Sequence, residues 1–376
     1  MRYENQAIRK TDLSEQTAVY HPTPIKEDRL HNENILNQGE QIQSDSSGHL
    51  CNFPILASCR SGDDLARNVT GKLKNLSGDV LYLPSIDFSF SDSETCVRLT
   101  SEVSDTPIFL FQSLYDPTSP RSVDQNYMAF LLAARALKEW GASSITGVVP
   151  YMAYARQNHP TKGQREPISV RLMADLSTVA GIDRLITFRP HTDGLAAFYR
   201  DSTFEQSDSV AFFASIFAPF YNQQDAILVA PDAGAALFVT AVGRLLNLKC
   251  AVGSKFRPRA EECVLSEIIG DFNGINTALV LDDMVSSGGT IYKLIRRLRE
   301  EKGVKQTYLG AAHNLCQEQA RERLLDLNAH YGLKGVVFTN SIPQTKSFTM
   351  LPFVEVIDLS DLLAEHILNS FVSRKN

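Results

Sequence analysis

From about residue 79 onward, short unbroken apolar runs alternate with longer stretches whose apolar residues recur at helical spacing. DVLYLP (79–84), PIFLFQS (107–113), SITGVVPY (144–151) and RLITF (184–188) predict strands, and YMAFLLAARALKEWG (127–141) and ISVRLMADLSTVAG (168–181) predict helices. A second set of strands follows at AILVAP (226–231), KCAVGSK (249–255), TALVLDD (277–283) and TYLGAAH (307–313). Strands alternating with helices imply an α/β chain with mainly parallel sheets flanked by helices. The texture changes near residue 50. Residues 1–49 are rich in Asn, Gln, Glu, Ser and His, and read as a flexible extension or a partner-binding arm.

The most informative stretch is ALVLDDMVSSGGTIYKLIRRLR (278–299), which reads as strand, loop and helix. Asp282 and Asp283 sit where the strand would end, followed by the loop Ser286-Ser287-Gly288-Gly289-Thr290. Ile291, Leu294, Ile295 and Leu298 then recur at helical spacing. Glycines allow close backbone approach to an anion, and a helix N-terminus adds partial positive charge. Adjacent aspartates beside such a loop can hold ribose hydroxyls or a magnesium ion.

Composition removes several alternatives. The 376-residue chain is long enough for two domains, and its net charge of −6 lacks the basic face that nucleic-acid binding needs. No apolar run approaches the roughly 18–20 residues that span a bilayer. Six scattered cysteines with no CxxC pair suggest neither a zinc site nor a disulfide framework. Free thiols fit a reducing, cytoplasmic setting.

The 278–299 block resembles the ribose-5-phosphate-binding motif of the phosphoribosyltransferase fold. Further blocks narrow the resemblance. VVPYMAYARQNHPTKGQREPISVR (148–171) resembles the ATP-binding segment of the ribose-phosphate diphosphokinases (phosphoribosyl pyrophosphate synthetases), and Phe90-Ser91-Asp92-Ser93-Glu94 resembles their adenine-contacting loop. His191, Pro231-Asp232-Ala233-Gly234, Lys255-Phe256-Arg257, Thr339-Asn340-Ser341-Ile342-Pro343 and VEVIDLSDLLAEHI (354–367) also match, so the likeness runs from about residue 52 to about 370.

That resemblance implies two phosphoribosyltransferase-like domains after the 1–50 extension. One covers 51–205 on the ATP side and the other 206–345 on the ribose-5-phosphate side, with 346–376 returning to the first domain. It implies transfer of the β,γ-pyrophosphoryl group of ATP to the anomeric hydroxyl of ribose 5-phosphate, with Mg2+ as cofactor. By the same resemblance, His191 and Asp232 are the metal ligands, and Arg156 and Gln157 contact the nucleotide. Lys255 and Arg257, on a loop, form the catalytic pair. Asp282, Asp283, Ser286, Ser287, Gly288, Gly289 and Thr290 hold ribose 5-phosphate. Phe90, Asp92 and Glu94 reach the adenine pocket of a neighbouring subunit, which implies a homo-oligomer with a shared site.

Departures stand beside these matches. Ser286 and Ser287 replace the usual Asp and Thr of the phosphate loop. Arg189-Pro190-His191 replaces Asp-Leu-His, Leu237-Phe238 stands where relatives keep a basic residue, and Asn158-His159-Pro160 replaces an Asp followed by basic residues. They leave two alternatives: a diphosphokinase acting on a larger ribose 5-phosphate ester such as ADP-ribose, and a regulatory homologue.

Overall fold

The computed structural model describes residues 54–372, apart from Asp79, Lys162, Asp201, Ala260 and Glu261. The expected extension at 1–50 therefore lies outside the described residues, as do the side chains of Lys255 and Arg257.

The chain enters through β1 (Ile55–Ser58), α1 (Asp63–Ser77) and β2 (Tyr82–Leu83), and makes a small antiparallel hairpin of β3 (Asp87–Ser89) and β4 (Thr95–Val97). It continues as β5 (Pro107–Phe111), α2 (Val123–Glu139), β6 (Ser144–Val148), α3 (Ser169–Ala180), β7 (Arg184–Phe188) and β8 (Thr203–Ser207). These strands form a six-stranded sheet in the order β2-β1-β5-β6-β7-β8, parallel throughout. The second lobe runs α4 (Ser209–Ile216), β9 (Ala226–Ala230), α5 (Ala236–Leu246), β10 (Lys249–Arg259) and β11 (Glu262–Ile269). β12 (Thr277–Val285), α6 (Gly289–Glu300), β13 (Gln306–Asn314), α7 (Glu318–His330), β14 (Leu333–Thr339) and β15 (Val354–Ile357) follow, and α8 (Ser360–Val372) closes the chain. Its sheet has the order β11-β10-β9-β12-β13-β14-β15, with only the β10–β11 pair antiparallel.

Local chemistry explains these elements. All five residues of β9 are buried, as expected of an interior parallel strand covered on both faces. On α6, Ile291, Leu294, Ile295 and Leu298 form one buried stripe. α2 starts four residues before its apolar periodicity because Ser122 builds a capping box. Gln125 N–H donates to Ser122 Oγ at 3.2 Å, and Ser122 N–H donates to Gln125 Oε1 at 2.9 Å. Two expectations are corrected. β12 runs on past the aspartates through Met284 and Val285. Lys255 and Arg257 lie on strand β10, not on a loop, because β10 pairs antiparallel with β11, Lys255 opposite Leu265 and Phe256 opposite Val264.

The two sheets share one core. Leu56, Phe109, Phe111 and Phe188 of the first sheet, Phe213 of α4, and Leu228, Leu279 and Leu281 of the second sheet belong to a single buried cluster. Leu363 and Ile367 of α8 join it. Each such side chain contributes about 1.5–3 kcal/mol relative to an exposed one, so apolar burial dominates the join between the lobes. α8 is also tied to the first lobe by polar bonds. Asn68 Nδ2 donates to Asp358 Oδ2 at 2.9 Å, and His366 places Nε2 2.8 Å from Glu205 Oε2 and Nδ1 3.0 Å from Ser207 Oγ. The exposed Lys72–Asp361 ion pair adds little.

Strand order locates the functional end. In the second sheet the chain winds from β9 outward to β10 and then returns to place β12 on the other side of β9. Ligands of open parallel sheets bind beyond the carboxyl ends of strands at such a reversal. The loops after β9 and β12 flank that position.

Candidate active site

A cavity of about 780 Å³ opens at this reversal, within the usual size of a small-molecule site. Asp232 and Ala233–Ala235 line it after β9, and Asp282 to Ile291 line it at the end of β12 and the start of α6. Val252–Ser254 of β10 and Ile269 of β11 form one wall, while Arg156, Arg189 and His191 reach it from the first lobe.

Ser286, Ser287, Gly288, Gly289 and Thr290 lie together in the cavity lining. Gly288 takes φ 73°, a left-handed turn that a side chain would strain, and α6 begins at the next residue. Among the described residues no side chain caps this helix, so its first amides remain available at the cavity edge. Two side chains brace the loop from behind: Gln317 Nε2 donates to Ser286 Oγ at 3.2 Å, and an Arg323 Nη1–H donates to the Ser287 carbonyl.

Asp282 and Asp283 differ in how tightly each holds a proton. His191 Nδ1–H donates to Asp283 Oδ2 at 2.7 Å, and Asp283 N–H donates to Asp282 Oδ1 at 2.9 Å. Burial, then the charges of Asp283 and Asp232, push the Asp282 carboxyl well above the ordinary carboxylate range. Burial also acts to raise Asp283, but the hydrogen bond and charge of His191 more than offset it and hold that carboxyl low. Of the two, Asp282 therefore gives up its proton less readily than Asp283. Asp232 is fixed by its own turn: its Oδ1 accepts N–H bonds from Gly234 at 2.9 Å and Ala235 at 3.2 Å.

Among the described residues, no group of three His, Cys, Asp or Glu side chains converges closely enough to hold a metal ion by itself. The donors present are carboxylate oxygens with one imidazole nearby. They fit a hard divalent cation that takes its remaining ligands from water and substrate phosphates.

Arg189 has the most constrained setting. It ends β7 with φ 41°, is 9% exposed, and holds its guanidinium 4.1 Å from the centre of the Phe238 ring. Its carbonyl accepts from His313 Nε2–H at 3.0 Å, while His313 Nδ1 lies 2.8 Å from Ser341 Oγ. Burial lowers the His313 ring to about 4. The ring is therefore neutral near pH 7, and the bond to a carbonyl places its proton on Nε2.

Other expected residues lie elsewhere. Gln157 is outside the cavity lining; its Oε1 accepts from Ser169 Oγ at 2.5 Å beside the start of α3. Phe90, Asp92 and Glu94 occupy the connection between β3 and β4, where Phe90 is 52% exposed, and none lines the cavity. The backbone of Lys255 directly follows the lining residue Ser254 on β10. Sequence reasoning gave no role to Gln317 or Arg323, and read His313 only as the end of a predicted strand. Their signals are weak, because each acts through contacts with residues 30 or more positions away.

Residues 55–181 match the family described as the N-terminal domain of ribose phosphate pyrophosphokinase, and residues 255–374 match the phosphoribosyl synthetase-associated domain. The ribose-phosphate pyrophosphokinase of Chromobacterium violaceum is 34% identical over 276 residues, covering 73% of this chain and 80% of that protein. That of Pasteurella multocida is 32% identical over 304 residues, covering 80% of this chain and 93% of the relative. The crystal structure of phosphoribosylpyrophosphate synthetase from Mycobacterium smegmatis superposes with a TM-score of 0.73 at 29% identity, over 85% of this chain and 99% of that one. Both lobes are matched, and the likeness covers from 80% to 99% of these relatives' own length: the chain belongs to the ribose-phosphate pyrophosphokinase family.

Proposed function

We propose that this chain is an ATP-dependent diphosphokinase that joins the β,γ-pyrophosphoryl group of ATP to the anomeric hydroxyl of ribose 5-phosphate, giving phosphoribosyl pyrophosphate and AMP. The observation that carries it is the meeting, at one strand-order reversal, of an anion-binding helix start, an aspartate pair, and arginine and histidine side chains from the other lobe. In the reaction the anomeric oxygen bonds to the β-phosphorus, the bond from that phosphorus to the α,β-bridging oxygen breaks, and AMP departs with the electron pair. The protein's work is to align the two substrates and neutralise charge.

The parts divide accordingly. The first amides of α6 with Ser286, Ser287, Gly288, Gly289 and Thr290 hold the 5-phosphate, and Asp282 with Asp283 receives the ribose hydroxyls. Arg156 faces the nucleotide phosphates from the first lobe. His191 and Asp232 hold a magnesium ion with the help of substrate oxygens; when bound, it screens the polyphosphate and polarises the β-phosphorus. Lys255 and Arg257, carried out along β10, meet the charge that develops at transfer. Gln157 acts by fixing the start of α3. The exposed β3–β4 connection with Phe90, Asp92 and Glu94 completes a neighbouring subunit's adenine pocket, so the active form is a homo-oligomer. No described helix is long and apolar enough to cross a membrane, and we place the protein in the cytoplasm. The names of the relatives favour ribose 5-phosphate over a larger acceptor such as ADP-ribose, and also over a purely regulatory role.

The test is AMP release from ATP and magnesium by purified protein, with ribose 5-phosphate and ADP-ribose as acceptors and products read by mass spectrometry. A product heavier than ribose 5-phosphate by one pyrophosphoryl group is expected. Mass gain on ADP-ribose alone, or silence with both acceptors, overturns the proposal.

A further inference from the structure

Two departures from the family pattern, Arg189 and Phe238, turn out to be one structural unit. They lie 49 positions apart in sequence, at the ends of β7 and in α5, yet the guanidinium stands 4.1 Å over the ring. Phe238 is 4% exposed and is braced edge-on by Phe213 at 5.7 Å. The arginine's backbone is fixed as well, in a left-handed conformation and by the His313 bond to its carbonyl. Little conformational freedom remains to be lost on meeting a ligand.

This cation is under-satisfied. Its side chain is 10% exposed, its contact to Asp193 Oδ1 is long at 3.5 Å, and its buried Nε–H has no hydrogen-bond partner. Asp282 and Asp283 act on it through their charge, but no hydrogen bond links either of them to it among the described residues. A buried N–H left unpaired is costly, more so when the group is charged, and an anionic ligand in the cavity would satisfy it. Arg189 lines the same cavity as the phosphate loop and enters from the first lobe together with Arg156.

We propose that Arg189, held over the ring of Phe238, is a specificity-determining anion clamp for the polyphosphate of the nucleotide. It supplies a fixed positive charge at that position, so that ATP binding depends less on the metal than a site of carboxylates alone would require. The proposal rests on the reading of the cavity as a diphosphokinase site and goes beyond it in assigning the role to Arg189. A lysine does not replace it: its ammonium has no planar face to lie on the ring and no fork of parallel donors.

The experiment is equilibrium binding by calorimetry, of ATP with magnesium, ATP with EDTA, and ribose 5-phosphate, on full-length wild type, R189M and R189K, with thermal melts as the folding control. R189M is expected to weaken metal-free ATP binding roughly tenfold or more, the size of a lost charge-assisted hydrogen bond, and to leave ribose 5-phosphate binding within about twofold. If R189M does not fold, R189K carries the test, with the same selective loss of ATP affinity at smaller size. F238L is expected to reproduce part of the ATP defect by freeing the guanidinium. Unchanged ATP affinity in a folded R189M or R189K, or an equal loss for ATP and ribose 5-phosphate, overturns the clamp while leaving the diphosphokinase reading intact. Wild type that binds neither substrate overturns both.

Discussion

The two sheets offer the same topological position twice, yet furnish it differently. In the second sheet the strand order reverses between β9 and β12, and there lies the 780 Å³ cavity with its glycine turn and aspartate pair. In the first sheet it reverses between β1 and β5, and the corresponding hollow is about 210 Å³, lined by Ser61, Gly62, Gln112, Ser113 and Asn340 among others. The helix start at the larger site has no acidic residue in its first turn, whereas α1 begins with Asp63 and Asp64. Gly288 gives its loop a left-handed turn; Gly62 is small because backbone atoms of Phe111 and Gln112 lie 2.8 Å from where its Cβ would stand. One glycine shapes a site and the other closes a packing contact. A fold provides the position, and particular residues decide what chemistry it holds.

The contrast can be broken in several ways. The largest effect is expected on the β10–β11 arm, which the first sheet does not possess. K255A or R257A should lower turnover by about a hundredfold or more with little change in ATP affinity, as for groups that act in the transition state. Weaker ATP binding with turnover intact would reduce the arm to a ground-state contact. Next, D282N combined with D283N should weaken ribose 5-phosphate binding by roughly tenfold while ATP changes less; equal losses on both substrates would detach the pair from the ribose.

The two glycines sharpen the comparison further. G288A should cost about 1–2 kcal/mol of strain in the loop and raise the KM for ribose 5-phosphate. G62A should cost about 1–3 kcal/mol by overpacking, seen as a lower melting temperature with both KM values unchanged. A KM effect from G62A would erase the distinction. The smallest effect concerns pH. His313 titrates near 6.5 when unfolded and near 4 when folded, so the unfolded chain binds the extra proton between those values. Stability should therefore fall as pH drops from about 6.5 to about 4, and H313F should flatten that slope in thermal melts.

Much of the architecture was legible because it is local. β7 at Arg184–Phe188 and α3 at Ser169–Ala180 follow from apolar runs and periodicity within one residue at each end. The start of α2 was missed because a polar capping box, not an apolar residue, sets it. β10 was cut short at Lys255 because its outer half is rich in Lys, Arg and Pro and gains its strand character from pairing with β11. At the site, the aspartates and the glycine loop were readable as one contiguous segment. The Arg189–Phe238 stack and the His313 bond to Arg189 were not, since each joins elements that sequence separates widely and only the fold brings together.

The core shared by both sheets has a consequence for motion. Large enzymes often enclose their substrates by swinging two lobes about a hinge, but here Phe188, Phe213, Leu228 and Leu363 lie in one packed cluster spanning the lobes. A swing would tear that packing open, so the width of the cleft is settled during folding and not at substrate encounter. The chain should accordingly melt as one cooperative unit, with both lobes lost in a single transition.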